Sequence, residues 1–185
     1  EDTGNVIPKN PVSAGSPQSG ELCVRGPTVF QEYWGKPHAT AEAFDSDGYF
    51  KTGDVAEYDP SVNSYHILGR ISADIIKCGG YKLSALQIER TLLEHPNIVE
   101  AVVLGVPDET YGERVGLICR LRSDQPSLDL KTLRLWCKEH ISDYKIPSRM
   151  IILKDDVPKN AMGNVAKKQL VHLFEDELPY EWREV

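Results

Sequence analysis

From residue 71 onward the sequence alternates between strand-like and helix-like patterns in a fixed order, and that order limits the fold more than any single motif does. "IVEAVVLGVPD" (98–108) and "ERVGLICRLRS" (113–123) read as two strands, the first nearly continuous in Val and Leu. Before them, "ADIIKCGGYKL" (73–83) predicts a hairpin turned at Gly79 and Gly80, since glycine takes positive φ at little cost. "SALQIERTLLEH" (84–95) opens with Ser84 and places Gln87 three residues later, the spacing that satisfies free amides at a helix start. Ala85, Ile88 and Leu92 mark its buried face, and Pro96 ends it. After the strand pair come "LDLKTLRLWCKEHI" (128–141), with Leu130, Leu133, Trp136 and Cys137 at helical spacing, the strand "SRMIILK" (148–154) and a last helix "VAKKQLVHLFEDEL" (165–178). Helix–strand–strand–helix–strand–helix argues a small α+β domain of two layers, about residues 71–178.

Residues 21–70 have another texture. "ELCVRG", "GYFKTGD", "VAEYD" and "SYHILGR" read as short strands separated by tight turns, with a short helix at "HATAEAF". So little apolar content cannot close a core alone, so this region is expected to be the end of a larger β-rich N-terminal domain. The fold class expected is therefore α+β: an incomplete β-rich segment over 1–70, then a small two-layer α+β domain over 71–185. The chain opens without Met on the polar, Gly/Pro/Ser-rich "EDTGNVIPKNPVSAGSPQSG", which reads as the middle of a longer protein whose targeting segment lies elsewhere.

A formal charge of −7 on 185 residues disfavours nucleic acid, whose binders need a dense field of Lys and Arg. No apolar run reaches the roughly 20 residues of a membrane span. The cysteines, Cys23, Cys78, Cys119 and Cys137, are widely spaced, form no CxxC pair and have no histidine at ligand spacing, so no metal site is expected. They suit a reducing, intracellular compartment and read as small core residues.

Two turns carry chemistry of their own. "YFKTGD" places Asp54 in a Gly-Asp turn where a carboxylate can accept from a pair of hydroxyls, or from its own backbone. Arg70 ends the next strand with a guanidinium fork suited to hydroxyl or phosphate oxygens.

In their order and gaps, "GELCVRGPTVFQEYWGKPHATAEAF", "GYFKTGD", "GRISADIIKCGGYKLSALQIE" and "VPKNAMGNVAKK" resemble the adenylate-forming superfamily of acyl-CoA synthetases, luciferases and peptide-synthetase adenylation domains. The resemblance covers about residues 20–175. It implies a large domain that binds ATP and a carboxylic acid, here represented by its last segment, and a complete small domain that swings over it. Acyl-AMP and pyrophosphate form first; the CoA thiol then expels AMP. ATP, Mg²⁺ and CoA are implied, with a small-molecule carboxylic acid as the partner substrate and no indication of oligomeric state.

By this resemblance Asp54 and Arg70, with Thr52, hold the nucleotide ribose. The carboxylate accepts and the guanidinium donates, so a diol is bridged between them. The hinge falls among Ser72, Ala73 and Asp74, because the segment is one residue longer than the common pattern. Lys77, Gly79, Gly80 and Tyr81 line the pantetheine channel, unless the glycines serve an ordinary hairpin.

The segment "PKNAMGNVAKK" normally carries a lysine after its glycine, and that ammonium offsets charge during adenylation. Asn164 stands there instead. As structure it reads as a helix N-cap for "VAKKQL". Lys159, Lys167 or Lys168 could substitute, although the last two are expected on the helix, facing solvent. Otherwise the protein keeps the thioester-forming half alone, or derives from a degenerate copy. Taken alone, this stretch of chain is expected to be inactive.

The hinge and lysine segments look closest to malonyl-CoA synthetases of animal mitochondria and plants. This implies malonate or methylmalonate as the acid and a mitochondrial or cytosolic setting. Another acyl- or aryl-CoA ligase, or a non-catalytic α+β binding module, remains the alternative. The tail "LPYEWREV" is expected to cap the surface.

Overall fold

The computed structural model describes residues 18–123 and 127–175; the opening Gly/Pro/Ser-rich stretch and the tail lie outside them. The chain divides into two compact units, Glu1–Ile71 and Ser72–Val185.

The first unit is an antiparallel three-stranded sheet in the order β1 (Gln18–Val24), β2 (Phe50–Asp59), β3 (Ser64–Arg70). "FKTGD" and "VAEYD", expected as separate strands, form the one strand β2. The turn that should separate them is absorbed as a bulge, with Gly53 at φ +76° and a register shift between Val55 and Ala56. Helix α1 (Pro37–Ala43) begins on Pro37, whose missing N–H costs nothing at a helix start. Phe30, Tyr33, Phe44 and Phe50 gather with ring centroids 4.8–5.6 Å apart. Among the described residues of this unit, Ala56 is the one buried apolar side chain.

The second unit holds β4 (Ile75–Cys78), β5 (Tyr81–Ser84), α2 (Ala85–Leu92), β6 (Ile98–Asp108), β7 (Gly112–Leu121), α3 (Leu130–Lys138) and β8 (Arg149–Leu153), closing with α4 (Lys167–Leu170) and a 3₁₀ turn, Val171–Phe174. Its sheet runs β5-β4-β7-β6, and β8 adds in parallel to β7. Ser84 caps α2 as the spacing predicts, its Oγ accepting from the Gln87 amide at 3.2 Å. Asp129 caps α3 through the Thr132 amide at 2.7 Å.

Burial explains why β6 reads as nearly continuous Val and Leu: both of its faces are covered. Val103, Val115, Leu117 and Cys119 face α2 and α3 and pack with Ile88, Leu92, Leu133 and Cys137. Val102, Leu104, Val106 and Ile118 point the other way, onto Val157, Leu170 and Phe174. The α+β class holds, with the C-terminal segment adding a thin layer beyond the two expected. A Cβ on Gly116 would stand 2.5 Å from Val106 and 3.1 Å from Phe174, so the glycine is what lets the Phe174 ring seat. The expected last helix is replaced by four α-helical residues and the 3₁₀ turn; residues 176–178 lie outside those described.

Cys119 and Cys137 are core residues, their thiols pushed up by burial to about 12 and about 11, while Cys23 and Cys78 are half-buried. Among the described residues no three His, Cys, Asp or Glu side chains gather as a metal site. Among the described residues no helix is long and apolar enough to cross a membrane.

Candidate functional site

In the first unit, sheet register brings Asp54 and Arg70 directly opposite each other on β2 and β3. Arg70 Nε lies 3.1 Å from Asp54 Oδ1, with the side chains 68% and 29% exposed, so the pair is preformed and reachable from solvent. Thr52 is differently placed. Its hydroxyl donates to the Leu22 carbonyl at 2.8 Å and accepts from the Asp54 amide at 3.1 Å, so it fixes the turn from which Asp54 projects. The Ile71 amide donates to Gly53 O at 2.9 Å, tying the end of β3 to the same turn.

In the second unit the hairpin turns at Gly79 (φ +56°) and Gly80 (φ +84°), as predicted. The Gly79 amide donates to Tyr111 O at 3.0 Å, and a Cβ there would press within 3.1 Å of the Tyr111 ring. Beside the turn is a cavity of about 240 Å³ lined by Cys78, Gly79, Tyr81, Tyr111, Arg114 and Tyr144 among others. The Tyr81 and Tyr144 rings stack at 4.7 Å and 10°. Arg114, paired with Asp108, lies 4.4 Å over the Tyr111 ring. Burial raises the Cys78 thiol above its usual range, which makes it a wall more than a nucleophile. Lys77 is exposed, and its amide donates to Glu113 Oε2 at 2.6 Å. Lys145 stands 6.0 Å over the Tyr144 ring and also lines an open cleft with Arg90, Lys138 and His140.

The loop 158–166 is organised by Asn160. Its Oδ1 accepts from the amides of Met162 and Asn164, both at 3.0 Å, and its own amide donates to Asn164 O at 2.9 Å. Gly163 closes the turn at φ +80°. This corrects the N-cap reading of Asn164: the cap position is Ala166, and no side chain caps α4. Asn164 is exposed, and its side chain makes no hydrogen bond among the described residues.

The lysines also differ from expectation. Lys167 does not face solvent; its side chain is 10% exposed, with Nζ 2.7 Å from Asp74 Oδ1 and 2.8 Å from Glu89 Oε1. Lys159 is held 2.6 Å from Glu100 Oε1, a hydrogen bond that keeps the Glu100 carboxyl below its ordinary range. Lys168 is exposed and has no partner among the described residues. Of the three hinge candidates, Ser72 and Ala73 lie in the turn at the unit boundary, while Asp74 is anchored through Lys167.

Sequence reasoning missed Tyr111, Tyr144 and the Asp74–Glu89–Lys167 cluster, which join positions more than 30 residues apart. Asn160 was findable. An Asn whose side chain bonds the amide two residues on is an Asx turn, and "KNAMG" carries that signal.

Residues 87–164 match the family described as AMP-binding enzyme C-terminal domain. A mitochondrial malonate–CoA ligase of Xenopus laevis is 51% identical over 158 residues, 85% of this chain and 27% of its own length. A malonate–CoA ligase of Arabidopsis thaliana is 48% identical over 167 residues, again 85% of this chain and 27% of the relative. The crystal structure of ATP-bound MatB from Rhodopseudomonas palustris superposes with a TM-score of 0.76 at 33% identity, covering 86% of this chain and 31% of that one. The chain thus spans about a quarter of the length of the curated relatives it matches. In fold and in sequence, the chain is similar to the C-terminal portion of these adenylate-forming enzymes.

Proposed function

We propose that this chain is the C-terminal portion of an AMP-forming acid–CoA ligase that makes acyl-CoA through an acyl-AMP, with malonate or methylmalonate as the acid. One observation carries the reading: relatives named malonate–CoA ligases match at 48% and 51% identity across 85% of the chain, and so across both units. The acid pocket lies outside this chain, and the choice of acid rests on that similarity.

The geometry supports a division of labour. The Asp54 carboxylate would accept from the ribose hydroxyls while Arg70 donates to them, each replacing part of the contact they now make with each other. Thr52 would hold the turn. The pivot would fall at Ser72 and Ala73, with Asp74 moving as part of the second unit. Gly79 and Gly80 admit a thin ligand arm, and the pocket beside them, with Tyr81 and Tyr144 stacked on its wall, fits the pantetheine arm of CoA. Lys77 stands at the same hairpin, and the basic cleft at Lys145 suits CoA phosphates. Mg²⁺ would travel with ATP, and no metal cluster among the described residues gives it a seat here. The setting consistent with this reading is intracellular, mitochondrial or cytosolic.

Asn164 argues for a second reading, in which adenylation is weak and thioester formation intact. A neutral amide cannot supply the charge of an ammonium, and losing one preorganised donor costs about 10²–10³ in rate. Lys159 and Lys167 are held by carboxylates, which leaves Lys168 as the candidate replacement among the three.

The test uses the full-length protein: ATP–pyrophosphate exchange with malonate, beside malonyl-CoA formation from supplied malonyl-AMP. Both half-reactions running supports a complete ligase; the second alone supports the second reading. Silence in both, with Asn164→Lys restoring neither, sinks the ligase assignment. In an active protein, Asn164→Lys is expected to raise acyl-AMP formation by about 10²–10³ and to leave the thioester half-reaction nearly unchanged.

A further inference from the structure

The ion cluster formed by Asp74, Glu89 and Lys167 belongs to none of the binding surfaces above. Its ammonium is shared between two carboxylates at 2.7 and 2.8 Å, and the three side chains are 15%, 14% and 10% exposed. Each carboxylate residue is fixed independently. Glu89 Oε1 also accepts from the Val103 amide at 2.8 Å, and the Asp74 carbonyl accepts from the Ala85 amide at 2.8 Å. Asp74 and Glu89 are thereby parts of the rigid sheet-and-helix body.

Lys167 stands at the other end of the contact, 93 residues along the chain from Asp74. It is the first residue of α4 and follows Asn164 by three positions. A four-residue helix has no stability of its own, because helix nucleation fixes several residues for one hydrogen bond. No side chain caps α4 either. Its anchors are therefore the Lys167 ammonium at one end and Leu170 at the other, the latter packed in the second apolar cluster.

We propose that Lys167 is a positioning residue. Clamped between Asp74 and Glu89, it locks the loop 158–166 to the first residues beyond the unit boundary, so that loop and boundary strand move as one body. The inference rests on the ligase reading only in its consequence for rate: a loop that enters an active site is useful if its tip arrives in a set place whenever the unit rotates. A lysine suits the role because three donors on one ammonium can serve two carboxylates at once.

The test is hydrogen exchange on the full-length protein with three variants. Asp74→Asn keeps the Lys167–Glu89 pair and is the variant expected to fold. Lys167→Met removes the ammonium and leaves two buried carboxylates together. Lys167→Arg keeps the charge and is the rescue. The Asn160, Gly163 and Asn164 amides are expected to exchange about tenfold faster or more in Asp74→Asn, faster still in Lys167→Met, and near the wild-type rate in Lys167→Arg. Amides of β6 and β7 should be unmoved in Asp74→Asn. Unchanged loop amides, or an equal rise at every amide, would overturn the proposal and leave the cluster a plain stability element. The two half-reactions are then compared in Asp74→Asn. A loop that loosens while neither half-reaction runs even in wild type preserves the clamp and removes the ligase reading. A ligase whose loop amides ignore all three variants does the reverse.

Discussion

The two units hold their functional residues by different means. In the first, Asp54 and Arg70 are set by backbone register, two positions opposite each other on paired strands, yet Ala56 is the one buried apolar side chain among the residues described. In the second, two apolar clusters fill both sides of one sheet, but the loop bearing Asn164 hangs on the side chain of Asn160, a turn at Gly163 and a lysine clamp. Precise placement thus comes in one unit from strands that lack a core, and in the other from loops attached to a good one. Register is a cheap way to place a pair, and it survives only while something else keeps the strands flat and together.

The sharpest break of that comparison is to separate the units. Residues 72–185 made alone are expected to unfold in one cooperative transition, whereas residues 1–71 alone should show no protected amides; protection in the latter would mean the aromatic group around Phe30 suffices as a core. Next in size is truncation. Phe174→Ala in the second unit should cost about 3–5 kcal/mol by denaturant midpoint, while Ala56→Gly in the first should cost about 1 kcal/mol or less. Equal costs would deny that the cores differ. Smaller again is Asn160→Ala, which removes the one side-chain oxygen that accepts from two loop amides. About 1–2 kcal/mol of local protection should vanish there, with chemical shifts at Asp54 unchanged.

The smallest effect is a pH dependence confined to the second unit. Burial, with His140 nearby, holds the His95 ring below its ordinary 6.5, and its Nδ1 accepts from the Asn97 amide at 3.1 Å. The unfolded chain binds the proton more readily, so stability is complete above the unfolded value and falls as pH drops toward the folded one. His95→Gln should flatten the stability curve between about pH 7 and 5; an unchanged slope would assign it to another group.

Much of this was legible in the sequence because it is local. Ser84 with Gln87, the Gly79-Gly80 turn and the strands of β6 and β7 are each decided within a dozen residues. The Asp54–Arg70 pair needed only the strand order between them. What sequence did not show depends on distant partners. Lys167 reads as a surface charge until Asp74 and Glu89 arrive beside it. Asn164 reads as a cap until the helix is seen to start three residues later. The stacked pair Tyr81 and Tyr144 spans 63 positions, and nothing near either one announces the other.

The covering of the second apolar face also sets a schedule. Val102, Leu104, Val106 and Ile118 are synthesised long before Leu170 and Phe174, which lie near the end of the described chain. At about 5–20 residues per second, translation leaves that face bare for roughly three to eleven seconds. A growing chain therefore carries a sticky half-built sheet until Leu170 and Phe174 emerge. Stop codons or frameshifts that fall between Ile118 and Leu170 should be met by aggregation or chaperone capture, because the sheet is then made without its cover.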